Sequence, residues 1–440
     1  MASESLKTSA PATDPRSPES VAEQAPPRGF ARFKTFESLS DRSFRWFFFS
    51  MASWFAAMNM QQLVNGFIVY ELTGSYAALG LVSLMTAIPM LFLSLPGGVI
   101  ADRFVKERVI QAGQIVNTLV SGSLAALMLS GVLVYEHLLI TGVIQGTVFG
   151  LIMPSRQTMI GDVVPEDKLM NGVALNSAGQ NVMRLTAPPI GGILLTVVGA
   201  GWVYLTMTVL YAIAACCMLP VRPRPDASHA NRRQSHKAGE RNLGFQDMIE
   251  GCRYIWRDKT VLLILSTNCV VVLLAMPIQQ MLPGFVTDVL DANGIGLGII
   301  MSLIGFGSVV GSLVVASMSS RNRGLLLMIS ALILGTSLLG FALSSIFVFS
   351  AIMAVILGVG QAGRISISSV LIQTYAAAEY RGRVMSVYMM QFGLVSFGTF
   401  LVGVLASAIG IQVALALTGG LLLAFSVITM ALFPAMRKLP

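Results

Sequence analysis

Apolar runs long enough to cross the hydrocarbon of a bilayer, about 20 residues each, recur from Trp46 to Phe433 with only short polar breaks between them. A backbone in hydrocarbon finds no water, so each crossing must close its own hydrogen bonds as a helix or belong to a closed barrel. Barrel strands are about half this length and alternate apolar with polar residues, which these runs do not. The expected fold is an all-α membrane protein with twelve crossings. They fall near 45–70, 76–97, 109–133, 138–160, 170–198, 202–219, 260–287, 294–317, 325–345, 347–373, 384–408 and 412–433. Composition agrees, since 55% of the 440 residues are hydrophobic and 11% charged, against about 25% charged in soluble domains.

The net charge of +8 would suit nucleic acid, but topology accounts for it better. With the N-terminus inside, 26 of the 29 Lys and Arg fall on the cytoplasmic side, including Lys7 to Arg45, Arg103, Lys106, Arg108, Lys168 and the loop from Arg222 to Lys259. The opposite loops carry Glu71, Glu136, Asp288 and Asp291 and no Lys or Arg. This is the positive-inside asymmetry, and it places both termini in the cytoplasm. The remaining bases, Arg156, Arg184 and Arg364, lie inside spans. Cys216, Cys217, Cys252 and Cys269 form no disulfide framework, and no signal peptide precedes the first span.

Residues 1–43 read as a disordered cytoplasmic tail, 44–219 as a six-helix half, 220–259 as a basic cytoplasmic linker, 260–433 as a second six-helix half and 434–440 as a short tail. Within the linker, Phe245 to Trp256 has helical apolar spacing, as in an amphipathic helix on the inner leaflet. The halves correspond: Lys106 and Arg108 match Arg321 and Arg323 at an offset of 215, and Glu166 and Lys168 match Glu379 and Arg381 at 213. Two pseudo-symmetric bundles around a central pathway are expected.

The loop after the second span reads Gly97-Gly98-Val-Ile-Ala-Asp102-Arg103-Phe-Val-Lys106-Glu-Arg108. It resembles the Gly-x-x-x-Asp-Arg hallmark of the major facilitator superfamily, although Val105 replaces a second glycine and Glu107 interrupts the basic run. The resemblance covers residues 45 to 433 and implies alternating access. It also implies a cytoplasmic gate in which Gly98 permits close approach, Asp102 faces the helix beginning near Val384, and Arg103 pairs with Asp162. The bland alternative is that these are topogenic surface charges. Ala187-Pro188-Pro-Ile-Gly191-Gly192 resembles the family's antiporter motif, typical of exporters. Residues 142–150 resemble a further motif, but Gly142 stands where that motif has its proton-linked arginine. Gly142, Gly146 and Gly150 are otherwise a close-packing surface.

Polar residues within spans are the guide to the pathway, because ionised groups in hydrocarbon need water or a partner. Asn176, Gln180 and Arg184 recur at spacing four and share a helix face. Asn59, Gln62 and Asn65 in the first span, and Gln111, Gln114 and Thr118 in the third, either line the cavity or bond between helices. Arg156 and Arg364 either line a vestibule or snorkel to inner-leaflet headgroups. No Asp or Glu falls in mid-span, which gives proton coupling little support beyond the family resemblance.

Gly358-x-Gly360-x-x-Gly363 matches a dinucleotide fingerprint literally, but it lies inside a span without the required strand. No catalytic or metal-binding motif occurs, so an enzyme is not expected and no cofactor is assigned. A scramblase or channel would differ by transporting without a gradient. Segments such as Met153-Pro-Ser-Arg-Gln and Arg381-Gly-Arg-Val-Met-Ser resemble the bacterial drug and siderophore efflux subgroup, which includes macrolide and enterobactin exporters. The resemblance implies a monomeric secondary transporter of a bacterial inner membrane, in contact with lipid, that exports a small amphipathic solute in exchange for protons. An organic-anion importer or exchanger is the alternative.

Overall fold

A computed structural model of the chain describes residues 37–165, 168–223, 250, 253–318, 322–377 and 379–432, without the side chains of Glu37, 94–103 and Ser386. Six helices precede the central segment: α1 (Arg42–Thr73), α2 (Tyr76–Arg103), α3 (Lys106–Leu129), α4 (Tyr135–Val163), α5 (Leu169–Val198) and α6 (Ala200–Met218). Six more spans follow. They are α7, bent into Lys259–Ala275 and Ile278–Asp288; α8 (Gly294–Ser317); α9 (Arg323–Leu343); α10 (Phe347–Tyr375); α11, bent into Arg381–Met389 and Gln391–Ile409; and α12 (Ile411–Leu432). Pro277 lies at the α7 bend, where its missing N–H interrupts the helical ladder.

Eleven of these spans are long and apolar enough to cross a membrane. The exception, α1, carries Asn59, Gln61, Gln62 and Asn65 within its 32 residues. The Asp41 carboxylate starts it by accepting from the amides of Ser43 and Phe44, and Gly74 ends it in the left-handed region at φ 59°, where a side chain would be strained.

The first and second sets of six helices repeat one pattern of contacts. In the first, α2 packs on α4 and α3 on α6; in the second, α8 packs on α10 and α9 on α12. Both copies of the close parallel pair are made by glycine. A Cβ at Gly146 of α4 would overlap the Thr86 carbonyl, and one at Gly307 of α8 would overlap that of Val355. Gly358, from the dinucleotide-like run, packs in the same way against the Ile304 carbonyl of α8. The turn before α6 and the turn before α12 each use a glycine at φ 86°, Gly199 and Gly410.

The two sets meet chiefly through α5 against α8 and α2 against α11, the same contact under the repeat. Both run antiparallel. Gly192 packs on Gly294 and Gly298 on Pro188, while Gly80 packs on Phe400 and Gly403 on Tyr76. All these positions lie toward the ends where the 71–76 and 288–294 turns are, here termed the acidic face. The other ends carry the basic loops. Apolar side chains such as Ile140, Val209 and Leu421 point outward, as in a surface solvated by acyl chains.

A separate apolar cluster forms at the basic face from Ile255, Val261, Leu327, Leu371 and Val384. Residues 253–257 are helical. Tyr254 stacks on Tyr380 with ring centroids 4.6 Å apart, and Arg383 pairs with Glu250 at 2.8 Å. The rest of the expected amphipathic helix, and both tails up to Phe36 and from Phe433, lie outside the described residues.

Candidate functional site

A cavity of about 290 Å³ lies among α1, α2 and α4. The first helix contributes Trp54, Met58, Gln61, Gln62 and Asn65; α2 adds Ser83, Thr86 and Met90; α4 adds Gln145, Phe149, Met153 and Arg156. Asn117 and Tyr211 reach it from α3 and α6, and Gln280 and Ser396 from the second six helices. The wall therefore joins aromatic and thioether surface to amides. Its charge comes from Arg156; among the described lining residues there is no Asp, Glu, His or Lys.

Hydrogen bonds to α6 set the orientation of the α1 amides. Tyr204 donates its hydroxyl to Asn65 Oδ1 at 2.6 Å, and Tyr211 donates to Gln61 Oε1 at 2.7 Å. Gln61 Nε2 is left buried without a partner. Arg156 is 4% exposed, so it is a packed cavity wall rather than a snorkelling residue. Its guanidinium carbon lies 3.8 Å above the Trp54 ring, a cation–π contact. Nη1 approaches Met51 Sδ at 3.6 Å, while Nε and Nη2 have no partner.

Arg364 has a different environment. It is 3% exposed, but its Nη1 donates to Asn268 Oδ1 at 2.6 Å and to Gln391 Oε1 at 2.9 Å. It ties α10 to α7 and α11 and lines neither cavity. Arg184 faces a small cavity of about 30 Å³ with Asn59, Gln62, Pro188 and Gln279. Gln62 lines both cavities, whereas Asn59 also donates to its own helix at Phe55 O, 2.7 Å away. Asn176 is buried and Gln180 half-buried, and neither lines either of these two cavities. Gln114 is fully buried and donates to Ser50 Oγ at 3.0 Å, a bond between helices rather than a cavity contact.

At the basic face, Asp162 pairs with Lys106 at 2.7 Å, with side chains 12% and 14% exposed. The side chains of Gly98's neighbours Asp102 and Arg103, the rest of the expected gate, lie outside the described residues. The Pro188, Gly191 and Gly192 run forms the seam with α8. A Cβ on Gly192 would meet the backbone of Gly294, whereas one on Gly191 would meet the Met60 side chain at 3.4 Å.

At the acidic face, the cavity floor is closed by residues that sequence reasoning missed. Tyr70 and Tyr76 both donate to Asp288 Oδ2, and Gly66 packs on Pro283. The available signal was an acid ending an apolar span on a face without bases. Among the described residues, no group of three His, Cys, Asp or Glu side chains is placed to hold a metal.

Comparison with known proteins agrees with this architecture. The Staphyloferrin A transporter of Staphylococcus aureus is 23% identical over 364 residues, covering 82% of this chain and 88% of that protein. The multidrug efflux pump Tap of Mycobacterium tuberculosis is 26% identical over 370 residues, covering 78% and 82%. Among solved structures, the nucleoside transporter NupG superposes with a TM-score of 0.71 at 15% identity, over 89% of this chain and 98% of that one. A bacterial homolog of the human lysosomal transporter Spinster superposes at 0.68 and 14% identity, over 94% and 100%. The transmembrane secretion effector family matches residues 33–438. With twelve spans, a repeated six-helix contact pattern and a polar cavity in an apolar bundle, the chain belongs to that family: it is a bacterial secondary transporter of the major facilitator superfamily, moving small solutes by alternating access.

Proposed function

We propose that this transporter exports a small amphipathic solute from the cytoplasm across the bacterial inner membrane, and that its central cavity is the solute site. The observation that carries this reading is the cavity wall, where Trp54, Phe149, Met58 and Met153 stand beside Gln61, Asn65, Asn117 and Gln145. Apolar area supplies most of the affinity of such a site, and a few fixed polar groups set orientation. Drug-like and siderophore-like solutes have this divided character. The kinship with a multidrug efflux pump and a staphyloferrin A transporter supports the same class.

The positive-inside distribution supports cytoplasmic termini. On that orientation, contacts gathered at the acidic face describe a cavity sealed from outside. Proton exchange rests on the subgroup resemblance and the antiporter-like motif. An organic-anion importer or exchanger is the alternative; the lone Arg156 in the cavity wall suits an organic anion whichever way it is carried.

The test is accumulation of a panel of amphipathic dyes in cells lacking their major efflux pumps. Cells producing the protein should retain less dye than cells producing a cavity-filling Ser83→Trp variant at equal membrane abundance, and a protonophore should abolish the difference. Greater retention in the wild type would reverse the assigned direction. Loss of the difference only on removal of another ion gradient would replace the proton.

A further inference from the structure

We infer that the cavity contains an anion subsite centred on Arg156 and that the transported solute carries a carboxylate-class group there. This rests on the cavity being the solute site and deepens that reading. A guanidinium offers five N–H donors and no acceptor, and burying it without a counter-ion is strongly unfavourable. Arg364 shows how the same bundle partly satisfies such a group: Nη1 donates to two amide oxygens within 2.9 Å, Nη2 approaches Met276 Sδ at 3.9 Å, and Nε is left without a partner. Arg156 has the Trp54 ring and the Met51 sulfur instead, and its Nε and Nη2 are left without acceptors.

The neighbouring amide reinforces the asymmetry. Tyr211 occupies the Gln61 oxygen and leaves Gln61 Nε2 buried without a partner. Three buried donors thus belong to side chains lining one cavity whose described wall has no carboxylate to receive them. These donor atoms are covered in the structure, so a solute carboxylate would accept from Arg156 in charge-assisted bonds once the side chains beside it part. The indole face holds the guanidinium plane in place, and the apolar remainder of the solute would lie against Phe149 and the methionines.

The probes are 1-naphthylacetate and 1-naphthylacetamide, the same ring system with a carboxylate or a neutral amide. Binding of each in tritiated form to the purified full chain is followed by scintillation proximity. The carboxylate is expected to bind at least about ten-fold more tightly, the usual scale for a hydrogen bond to a charged group. Arg156→Gln should bring the two affinities within about two-fold, with Arg156→Lys retaining part of the preference. If Arg156→Gln fails to fold, Gln61→Leu serves instead and should weaken carboxylate binding about three-fold or more relative to amide binding. Equal affinities in the wild type, binding of neither probe, or a preference unchanged in the folded variant would overturn the anion subsite. Export itself is judged separately, by efflux of neutral dyes from cells producing the wild-type chain, so the two readings fail independently.

Discussion

Tyr76 donates its hydroxyl to Oδ2 of Asp288 at 2.9 Å, joining the first turn of α2 to the last turn of α7. Tyr70 donates to the same oxygen, and its ring lies 4.9 Å from that of Tyr76. One carboxylate thus links two elements of the first six helices to one of the second six, directly over the Gly66–Pro283 contact. These bonds stabilise the arrangement closed at the acidic face. Asp288→Ala should shift the population toward opening there by about 1–2 kcal/mol, the scale of bonds to a partly exposed charged acceptor. In a background lacking native cysteines, Val69→Cys should react with an impermeant maleimide applied to the acidic face about ten-fold faster when Asp288→Ala is added. An unchanged rate would mean that packing alone closes this face.

Adjacent glycines in α5 should respond differently. A methyl on Gly192 meets backbone at Gly294 and at Gly298 Cα, 3.3 Å away, while one on Gly191 meets the flexible Met60 side chain at 3.4 Å. Gly192→Ala should therefore separate α5 from α8 at about 1–3 kcal/mol, the range for overpacking, with a lower unfolding midpoint and impaired transport. Gly191→Ala should remain close to wild type. Equal effects would remove the seam as the explanation.

Arg364 and Arg156 make a second contrasting pair. Arg364→Gln strands the carbonyl oxygens of Asn268 and Gln391 in a buried site, and should lower stability by about 2–4 kcal/mol. Arg364→Lys should rescue little, because an ammonium lacks the planar fork. Arg156→Gln strands no oxygen acceptor among the described residues and should shift the unfolding midpoint much less. Thermal unfolding of both variants in one detergent reads the difference, and a larger drop for Arg156→Gln would contradict it.

Lys106 and Asp162 form a largely buried pair between the start of α3 and the end of α4. Lys106→Met should destabilise the fold by about 1–3 kcal/mol, because it removes the ammonium partner of a largely buried carboxylate. Adding Asp162→Asn should recover part of the loss. Failure of the second change to recover any stability would show that other contacts of Asp162 dominate.

Orientation is tested by labelling in the same cysteine-free background. Ser235→Cys should react only from the cytoplasm and Asp291→Cys only from outside, since every loop base lies on the side of Ser235. The opposite pattern would invert the assignment of faces and, with it, the direction of opening.

Twelve crossings, helical structure and the matching of the two halves were legible along the sequence because each depends on cumulative apolar length, charge spacing or a local motif. The Gly142, Gly146, Gly150 stripe likewise revealed close packing, since small residues at spacing four make one surface on any helix. Which polar groups meet was not legible, because that depends on helix rotation and on residues far apart in the chain. Arg156 and Arg364 occupy similar places in their spans, yet one donates to Asn268 and Gln391 while the other lines a cavity beside Trp54. The stripe of Asn176, Gln180 and Arg184 shares a helix face, yet of the three only Arg184 meets the smaller cavity and none meets the larger one. Only the tertiary structure decided where charge meets the cavity and where Asp288 finds its two tyrosines, because those partners stand more than 200 residues apart.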